Sequence, residues 1–156
     1  MSGESADRGR YLIVASRFNE RVTERLLAGA LACLEAAGLS DGDVDVIRVP
    51  GAWELPIAAQ LALESGQYEA AIAIGCVIRG DTPHFEHIAG AAATGLARVS
   101  LDAGIPVAFG VLTTDDADQA LDRAGGRLGN KGWEAAATAV ELADLRRQLR
   151  TNGAGT

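Results

Sequence analysis

One stretch of the chain, from Gly75 to His87, concentrates the residue types that proton transfer and phosphate binding require. It follows an apolar run, it opens a predicted helix, and it contains both histidines of the 156-residue sequence, His84 and His87. A helix N-terminus presents free backbone N–H groups and the positive end of the helix dipole, which attract anions such as phosphate. The same position disfavours a protonated imidazole, so His84 is the candidate general acid–base.

Several residues are candidates for binding a phosphate group. The Gly80-Asp81-Thr82 turn supplies backbone N–H groups and one hydroxyl. Arg123 ends a short predicted helix, and Lys131, the only lysine, lies in a glycine-rich loop. Either cation can bind an anion or remain a solvated surface charge, and the sequence leaves both alternatives open.

Two aromatic side chains, Phe18 and Trp53, directly follow predicted strands. Such side chains either stack on a flat heterocycle or pack into the core. Glu54, beside Trp53, can accept hydrogen bonds from hydroxyl groups or serve as a first-turn helix acid. Cys33 and Cys76 are predicted to be buried small side chains, because two distant cysteines form neither a metal knuckle nor a disulfide framework.

These residues are positioned by strands that alternate with helices along the whole chain. The predicted strands cover residues 11–15, 44–49, 70–75 and 105–112. Helices are predicted from an Asn19 cap to Gly38, at 57–65, from a Thr82 cap with Pro83 at the first helical position to Gly104, from a 113–115 cap to Arg123, and at 133–149. Residues 1–9 are predicted to be a disordered or trailing segment, 10–150 a single domain, and 151–156 a flexible tail.

Alternating strands and helices predict a three-layer α/β/α sandwich. We expect a four-stranded parallel sheet with right-handed crossovers and the flavodoxin-like strand order 2-1-3-4. Ligands of such sheets bind outside the carboxyl ends of the strands. The strand exits at Phe18, at 51–54, at 76–84 and at 109–113 should therefore meet at one rim.

Composition excludes several classes of partner. The formal net charge is −7, and no basic patch is visible along the chain, which argues against nucleic acid and anionic membranes. No apolar run approaches the roughly 20 residues of a membrane span, and the first ten residues are polar. We therefore expect a cytoplasmic protein.

A set of linked motifs, in order along the chain, resembles the lumazine synthase family over about residues 11–149. The motifs are Phe18-Asn19, Gly51-Ala52-Trp53-Glu54-Leu55-Pro56, Val77-Ile78-Arg79-Gly80-Asp81-Thr82-Pro83-His84-Phe85-Glu86, Gly110-Val111-Leu112-Thr113-Thr114, Gln119-Ala120-Leu121-Asp122-Arg123-Ala124-Gly125 and Asn130-Lys131-Gly132. Several motifs in one order are far more specific than any one of them alone.

The resemblance implies a reaction of riboflavin biosynthesis and a set of site residues. 5-Amino-6-(D-ribitylamino)uracil would condense with 3,4-dihydroxy-2-butanone 4-phosphate to give 6,7-dimethyl-8-ribityllumazine, phosphate and water, without a metal or redox cofactor. His84 would move protons. The pyrimidine and its ribityl chain would be bound by Phe18, Ala52, Trp53, Glu54, Cys76, Val77, Ile78, Phe109 and Lys131, and the phosphate by Asp81, Thr82 and Arg123.

The resemblance also implies assembly. The family forms homopentamers, and many members pack them into an icosahedral shell of about 60 subunits. The short 125–132 connection is similar to that of the shell-forming members, and Phe109 and Lys131 would close the site of a neighbouring subunit.

Two other functions remain as alternatives. A flavin or lumazine carrier on the same fold would need neither a proton shuttle nor a phosphate clamp. A Schiff-base lyase would use Lys131 as its nucleophile, but a Gly-flanked lysine lacks the apolar pocket that lowers an amine pKa.

Overall fold

The computed structural model describes residues 8–81 and 83–154. The strands are β1 (Arg10–Ser16), β2 (Val44–Val49), β3 (Tyr68–Ile78), β4 (Val107–Thr114), β5 (Ala124–Gly126) and β6 (Gly129–Asn130). The helices are α1 (Glu20–Ala36), α2 (Leu55–Leu63), α3 (His84–Ala103), α4 (Ala117–Asp122) and α5 (Lys131–Ala154). Short 3₁₀ turns precede β2 (Asp41–Asp43) and α2 (Ala52–Glu54).

Strands β1 to β4 form one parallel sheet in the order β2-β1-β3-β4, which confirms the predicted topology. Pairing of β1 with β2 runs from Tyr11 opposite Val44 to Ser16 opposite Val49. Because every strand points the same way, the four carboxyl ends lie at one edge of the sheet. Strands β5 and β6 form a separate antiparallel hairpin.

The apolar run of β1 is buried on both faces, as parallel strands covered by two helix layers are. Tyr11 and Ile13 belong to a core shared with α1 and α5, whereas Leu12 and Val14 belong to a core shared with α2 and α3. Alternate side chains of a strand point to opposite faces. The sheet is therefore the middle layer of the predicted α/β/α sandwich.

Some element bounds differ from the predicted ones. Strand β3 continues to Ile78, and β4 begins at Val107 and runs to Thr114. Helix α4 is capped by Asp116, whose side chain accepts from the backbone N–H of Gln119 at 2.8 Å, and not by residues 113–115. The predicted 125–132 loop contains the β5–β6 hairpin. Local propensity alone does not resolve such boundaries, because long-range strand pairing extends or shortens an element.

The first described residue, Arg8, contacts the last helix, α5. Arg8 forms an ion pair with Asp144 of α5 at 2.8 Å, and α5 continues through residues 151–154, which were predicted as a tail. The other residues of the predicted N-terminal segment and tail, 1–7 and 155–156, lie outside the described residues. Of the helices that are described, none is long and apolar enough to cross a membrane.

Candidate active site

A cleft of about 360 Å³ lies at the rim formed by the carboxyl ends of β1, β2 and β3. Eight residues that the sequence predicted for the site share its wall. These are Phe18, Ala52, Trp53, Glu54, Cys76, Val77, Ile78 and His84. The wall is mainly apolar, with Glu54 and His84 as its ionisable oxygen and nitrogen groups; the topology thus brings together side chains from three separate strand exits.

Phe18 and Trp53 present aromatic surface to solvent. Their exposed fractions are 69% and 59%, although large aromatic side chains are usually buried. Phe18 is held by its backbone, since its N–H donates to the Pro50 carbonyl oxygen at 3.0 Å beyond the end of the β1–β2 pairing. A fixed backbone with an exposed ring suits stacking on a flat ligand.

The last three residues of β3, from Cys76 to Ile78, form the floor of the cleft. The side-chain amide of Asn19 donates to the carbonyl oxygen of Cys76 at 2.9 Å, which ties the start of α1 to the end of β3. Asn19 was predicted to cap α1 with its side chain. Asn19 does occupy the N-cap position of α1, but its side chain makes this long-range bond and no capping bond, and the residue adopts a left-handed conformation (φ 61°).

The Cys76 thiol lies in this floor as a neutral group. Burial raises the pKa of Cys76 to about 11, because a thiolate would lose its hydration there. A protonated thiol is neither a good nucleophile nor a metal ligand. Cys76 therefore contributes shape and an apolar surface, together with a backbone carbonyl that is already satisfied by Asn19.

Glu54 is oriented by its own turn. Its carboxylate oxygen Oε1 accepts from the backbone N–H of Gly51 at 2.8 Å, and the side chain is only partly buried. A carboxylate has further lone pairs after one such bond. Glu54 can thus accept hydrogen bonds from ligand N–H or O–H groups at the wall of the cleft.

The segment between β3 and α3 is anchored by Arg79. Its backbone N–H donates to the Thr114 carbonyl oxygen at 2.8 Å, and its side chain pairs with Asp115 at 2.9 Å. The guanidinium also lies over the Phe85 ring, 5.0 Å from the centroid. These contacts fix the backbone just after β3 and connect Arg79 to α3, whose exposed first residue is His84.

The turn that was predicted to bind phosphate contributes only partly to the wall of the cleft. Gly80 lines the cleft, whereas the exposed Asp81 is not part of its wall. Thr82 lies outside the described residues. A phosphate near His84 would meet the start of α3, where backbone N–H groups and the helix dipole favour an anion.

Besides Asp81, three predicted site residues do not line this cleft as the described part of one chain forms it: Phe109, Arg123 and Lys131. Phe109 lies on edge strand β4, with an exposed fraction of 37%. Arg123 and Lys131 are neighbours, because the Lys131 N–H donates to the Arg123 carbonyl oxygen at 2.8 Å.

Sequence reasoning missed Phe85 and Ile88 as cleft residues. The helical spacing from His84 to Ile88, four residues, was the available signal, because residues i and i+4 share a helix face. Among the described residues, no group of three or more His, Cys, Asp and Glu side chains is arranged to hold a metal ion.

Comparison with known proteins identifies the family. Residues 8–147 match the family model described as 6,7-dimethyl-8-ribityllumazine synthase. The chain is 48% identical over 146 residues to the 6,7-dimethyl-8-ribityllumazine synthase of Desulfatibacillum aliphaticivorans, which covers 94% of both chains. It is 51% identical over 140 residues to the protein of that name from Syntrophus aciditrophicus (strain SB), which covers 90% of this chain and 91% of the relative. The chain belongs to the 6,7-dimethyl-8-ribityllumazine synthase family, transferases of riboflavin biosynthesis.

Proposed function

We propose that this protein condenses 5-amino-6-(D-ribitylamino)uracil with 3,4-dihydroxy-2-butanone 4-phosphate to form 6,7-dimethyl-8-ribityllumazine, phosphate and water. The observation that carries the proposal is the cleft itself, in which exposed aromatic rings and an anchored carboxylate share one wall with His84. This combination suits a flat polar heterocycle beside a reacting centre that exchanges protons.

The pyrimidine is proposed to bind between Phe18 and the end of β3. The Phe18 ring stacks on the heterocycle, and the backbone of Val77 and Ile78 runs along its edge. Ala52 and Trp53 form the opposite wall, where Glu54 accepts hydrogen bonds from the ribityl hydroxyls. The exposure of Phe18 and the backbone bond that fixes it support this arrangement, because a pre-positioned ring loses little entropy on binding.

His84 is proposed to carry protons between intermediates. Attack of the 5-amino group on the ketone gives a carbinolamine, and its conversion to an imine expels water, which needs a proton on the departing hydroxyl. Elimination of phosphate then requires removal of a proton from carbon, and ring closure expels water again. A histidine at the cleft wall can serve each step, while the two bound substrates gain further rate from proximity.

The phosphate is proposed to bind at the start of α3, with Arg123 as its cation and with Asp81 and Thr82 in the same turn. In this scheme Arg123, Lys131 and Phe109 act on the cleft of a neighbouring subunit. The position of all three outside the cleft of their own chain supports this division. Cations beside a departing phosphate stabilise the charge that develops on its oxygen.

We propose that the assembly is a homopentamer, packed further into a hollow icosahedral shell. Exposed apolar side chains on α2, one helical turn apart, support a contact between copies: Ile57 and Leu61 are 53% and 61% exposed. Light scattering coupled to size exclusion should give a mass of about 60 subunits. A species of only about five subunits would refute the shell, and a monomer would refute both. We also propose a cytoplasmic location, which suits two free thiols.

The proposed activity is tested by mixing the purified protein with both substrates and following lumazine absorbance. The expected result is a rate well above that of the spontaneous condensation under the same conditions. A heat-denatured sample is the control. Binding of lumazine without any acceleration would overturn the proposal and favour a carrier on this fold. Borohydride trapping of a substrate adduct at Lys131 would instead favour the Schiff-base alternative.

A further inference from the structure

The side chain of Asn130 joins three elements that are distant in sequence. Its amide nitrogen donates to the Arg25 carbonyl oxygen in α1 at 3.1 Å, across 105 residues. Its amide oxygen accepts from the Trp133 N–H in the first turn of α5 at 3.0 Å. Asn130 itself is the last residue of the β5–β6 hairpin, so a single amide connects the hairpin, α1 and α5.

Two glycines permit this close approach. A Cβ added to Gly132 would overlap the carbonyl oxygen of Leu26 in α1, and one added to Gly29 would overlap the Asn130 side chain. The first overlap is with backbone and cannot be relieved without moving α1 away from the start of α5, whereas the second can be relieved only by displacing the Asn130 side chain. The absence of both side chains therefore sets how closely the hairpin lies against α1.

The two proposed cations are attached directly to this junction. Lys131 follows Asn130, and its N–H donates to the Arg123 carbonyl oxygen at 2.8 Å. The Arg123 side chain is itself held by the Gln119 carbonyl oxygen at 3.1 Å. A shift of Asn130 thus moves the backbone of both Lys131 and Arg123.

We propose that Asn130 is a positioning residue that sets the place of Arg123 and Lys131 relative to the bound phosphate substrate, an inference that rests on the proposed function. Its side chain touches no reacting atom in this scheme. Its effect is on the geometry of the cations, and a small misplacement of a charged contact weakens a bound anion substantially.

The sharpest variant is Asn130→Asp. An aspartate keeps an oxygen for the Trp133 N–H and suits a helix N-terminus, but it loses the donor to the Arg25 carbonyl oxygen. We expect the KM for the butanone phosphate to rise on the order of tenfold, the change expected for one hydrogen bond to a positioned group, with only a modest fall in the melting temperature because the same lost bond also contributes to stability.

A double-mutant cycle separates positioning from a general structural effect. In an Arg123→Ala background, Asn130→Asp should raise that KM by a clearly smaller factor than in the wild-type protein, because one of the two cations that it positions is gone. The inference is wrong if the factors by which the two substitutions raise the KM multiply fully in the double variant. It is also wrong if the wild-type protein is active and the single Asn130→Asp variant has the same KM.

A second variant reaches Asn130 from the opposite element. Gly29→Ala adds one methyl group in α1 and raises helix propensity, yet it should raise the same KM because the methyl displaces the Asn130 side chain. Gly90→Ala in α3 is the matched control, since its methyl would meet no described atom within 4 Å. If the Asn130→Asp variant does not fold, the comparison of Gly29→Ala with Gly90→Ala tests the inference in its place. An unaltered KM in Gly29→Ala would overturn the inference, whereas an inactive wild type would overturn only the proposed function.

Discussion

The side-chain amide nitrogen of Asn19 lies 2.9 Å from the carbonyl oxygen of Cys76, at the floor of the cleft. This bond links the loop that presents Phe18 to the strand end that faces it. It also explains the left-handed backbone of Asn19, since asparagine tolerates that conformation better than other residues with a Cβ.

Substitution of Asn19 should separate the hydrogen bond from the backbone strain. Asn19→Ala loses the bond to Cys76 and places a Cβ without local compensation in the left-handed region, so it should lower the free energy of unfolding by about 2 kcal/mol. Asn19→Gly loses only the bond and should cost about half as much, because glycine adopts this conformation freely. Urea denaturation measures both values. Equal losses for the two variants would contradict the strain argument.

Replacement of His84 should slow the reaction without abolishing it. In His84→Ala the kcat should fall on the order of a hundredfold, because general acid–base transfer is lost while substrate positioning remains. Steady-state kinetics with saturating substrates measures the change. His87→Ala is the matched control, since His87 is exposed on the same helix and is not among the residues that line the cleft. A comparable loss in both variants would argue against a specific role for His84.

Truncation of Phe18 should weaken binding of the pyrimidine substrate selectively. Phe18→Ala should raise the KM for that substrate roughly tenfold, because stacking of an aromatic side chain on a base contributes about 1–3 kcal/mol. The exposed side chain contributes little to the core, so the melting temperature should stay close to that of the wild type. Phe18→Trp should restore most of the affinity. An equal rise in the KM for the butanone phosphate would show that the ring does not act on the pyrimidine.

The two tyrosines should respond oppositely to removal of their hydroxyl groups. The Tyr11 hydroxyl is buried without a hydrogen-bond partner among the described residues, so Tyr11→Phe should leave the protein equally stable or more stable. Tyr68 donates to Asp45 at 2.6 Å, and Tyr68→Phe should lower the free energy of unfolding by about 1 kcal/mol. Urea denaturation at neutral pH compares the pair, and a destabilised Tyr11→Phe protein would contradict the prediction.

Burial of the Tyr11 hydroxyl should also change how the stability of the protein depends on alkaline pH. Burial raises the pKa of Tyr11 to about 12, so the folded state favours the neutral phenol more than the unfolded state does. Below the unfolded pKa of about 10 the phenol is neutral in both states, and as the pH rises above that value towards the folded pKa the unfolded state ionises first, so the free energy of unfolding falls. Stability of Tyr11→Phe should therefore decline less than that of the wild type between pH 8 and about pH 11. Parallel declines would show that Tyr11 does not titrate in this way.

Much of the fold was accessible from local patterns. The apolar runs before Phe18 and before Cys76 predicted strands, and the alternation of strands and helices predicted the parallel sheet and its order, which the topology confirms. The ends of β3 and β4 were not predicted correctly, because they depend on pairing between residues that are distant in sequence. The cap of α4 was placed one residue too early, although the bond between Asp116 and Gln119 is local. The roles assigned to the site residues stay predictions.

The sequence by itself determined the fold class, the rim at which the cleft lies and the family, since these follow from hydrophobic periodicity and from ordered motifs. Only the tertiary structure decided what individual side chains contact. Asn19 occupies the predicted N-cap position and Asn130 lies in a glycine-rich loop, yet their side chains donate to backbone carbonyl groups 57 and 105 residues away, respectively. An amide can satisfy its hydrogen bonds in many local ways. The choice is made by which backbone groups the packed helices and strands bring within reach, and packing is a property of the whole chain.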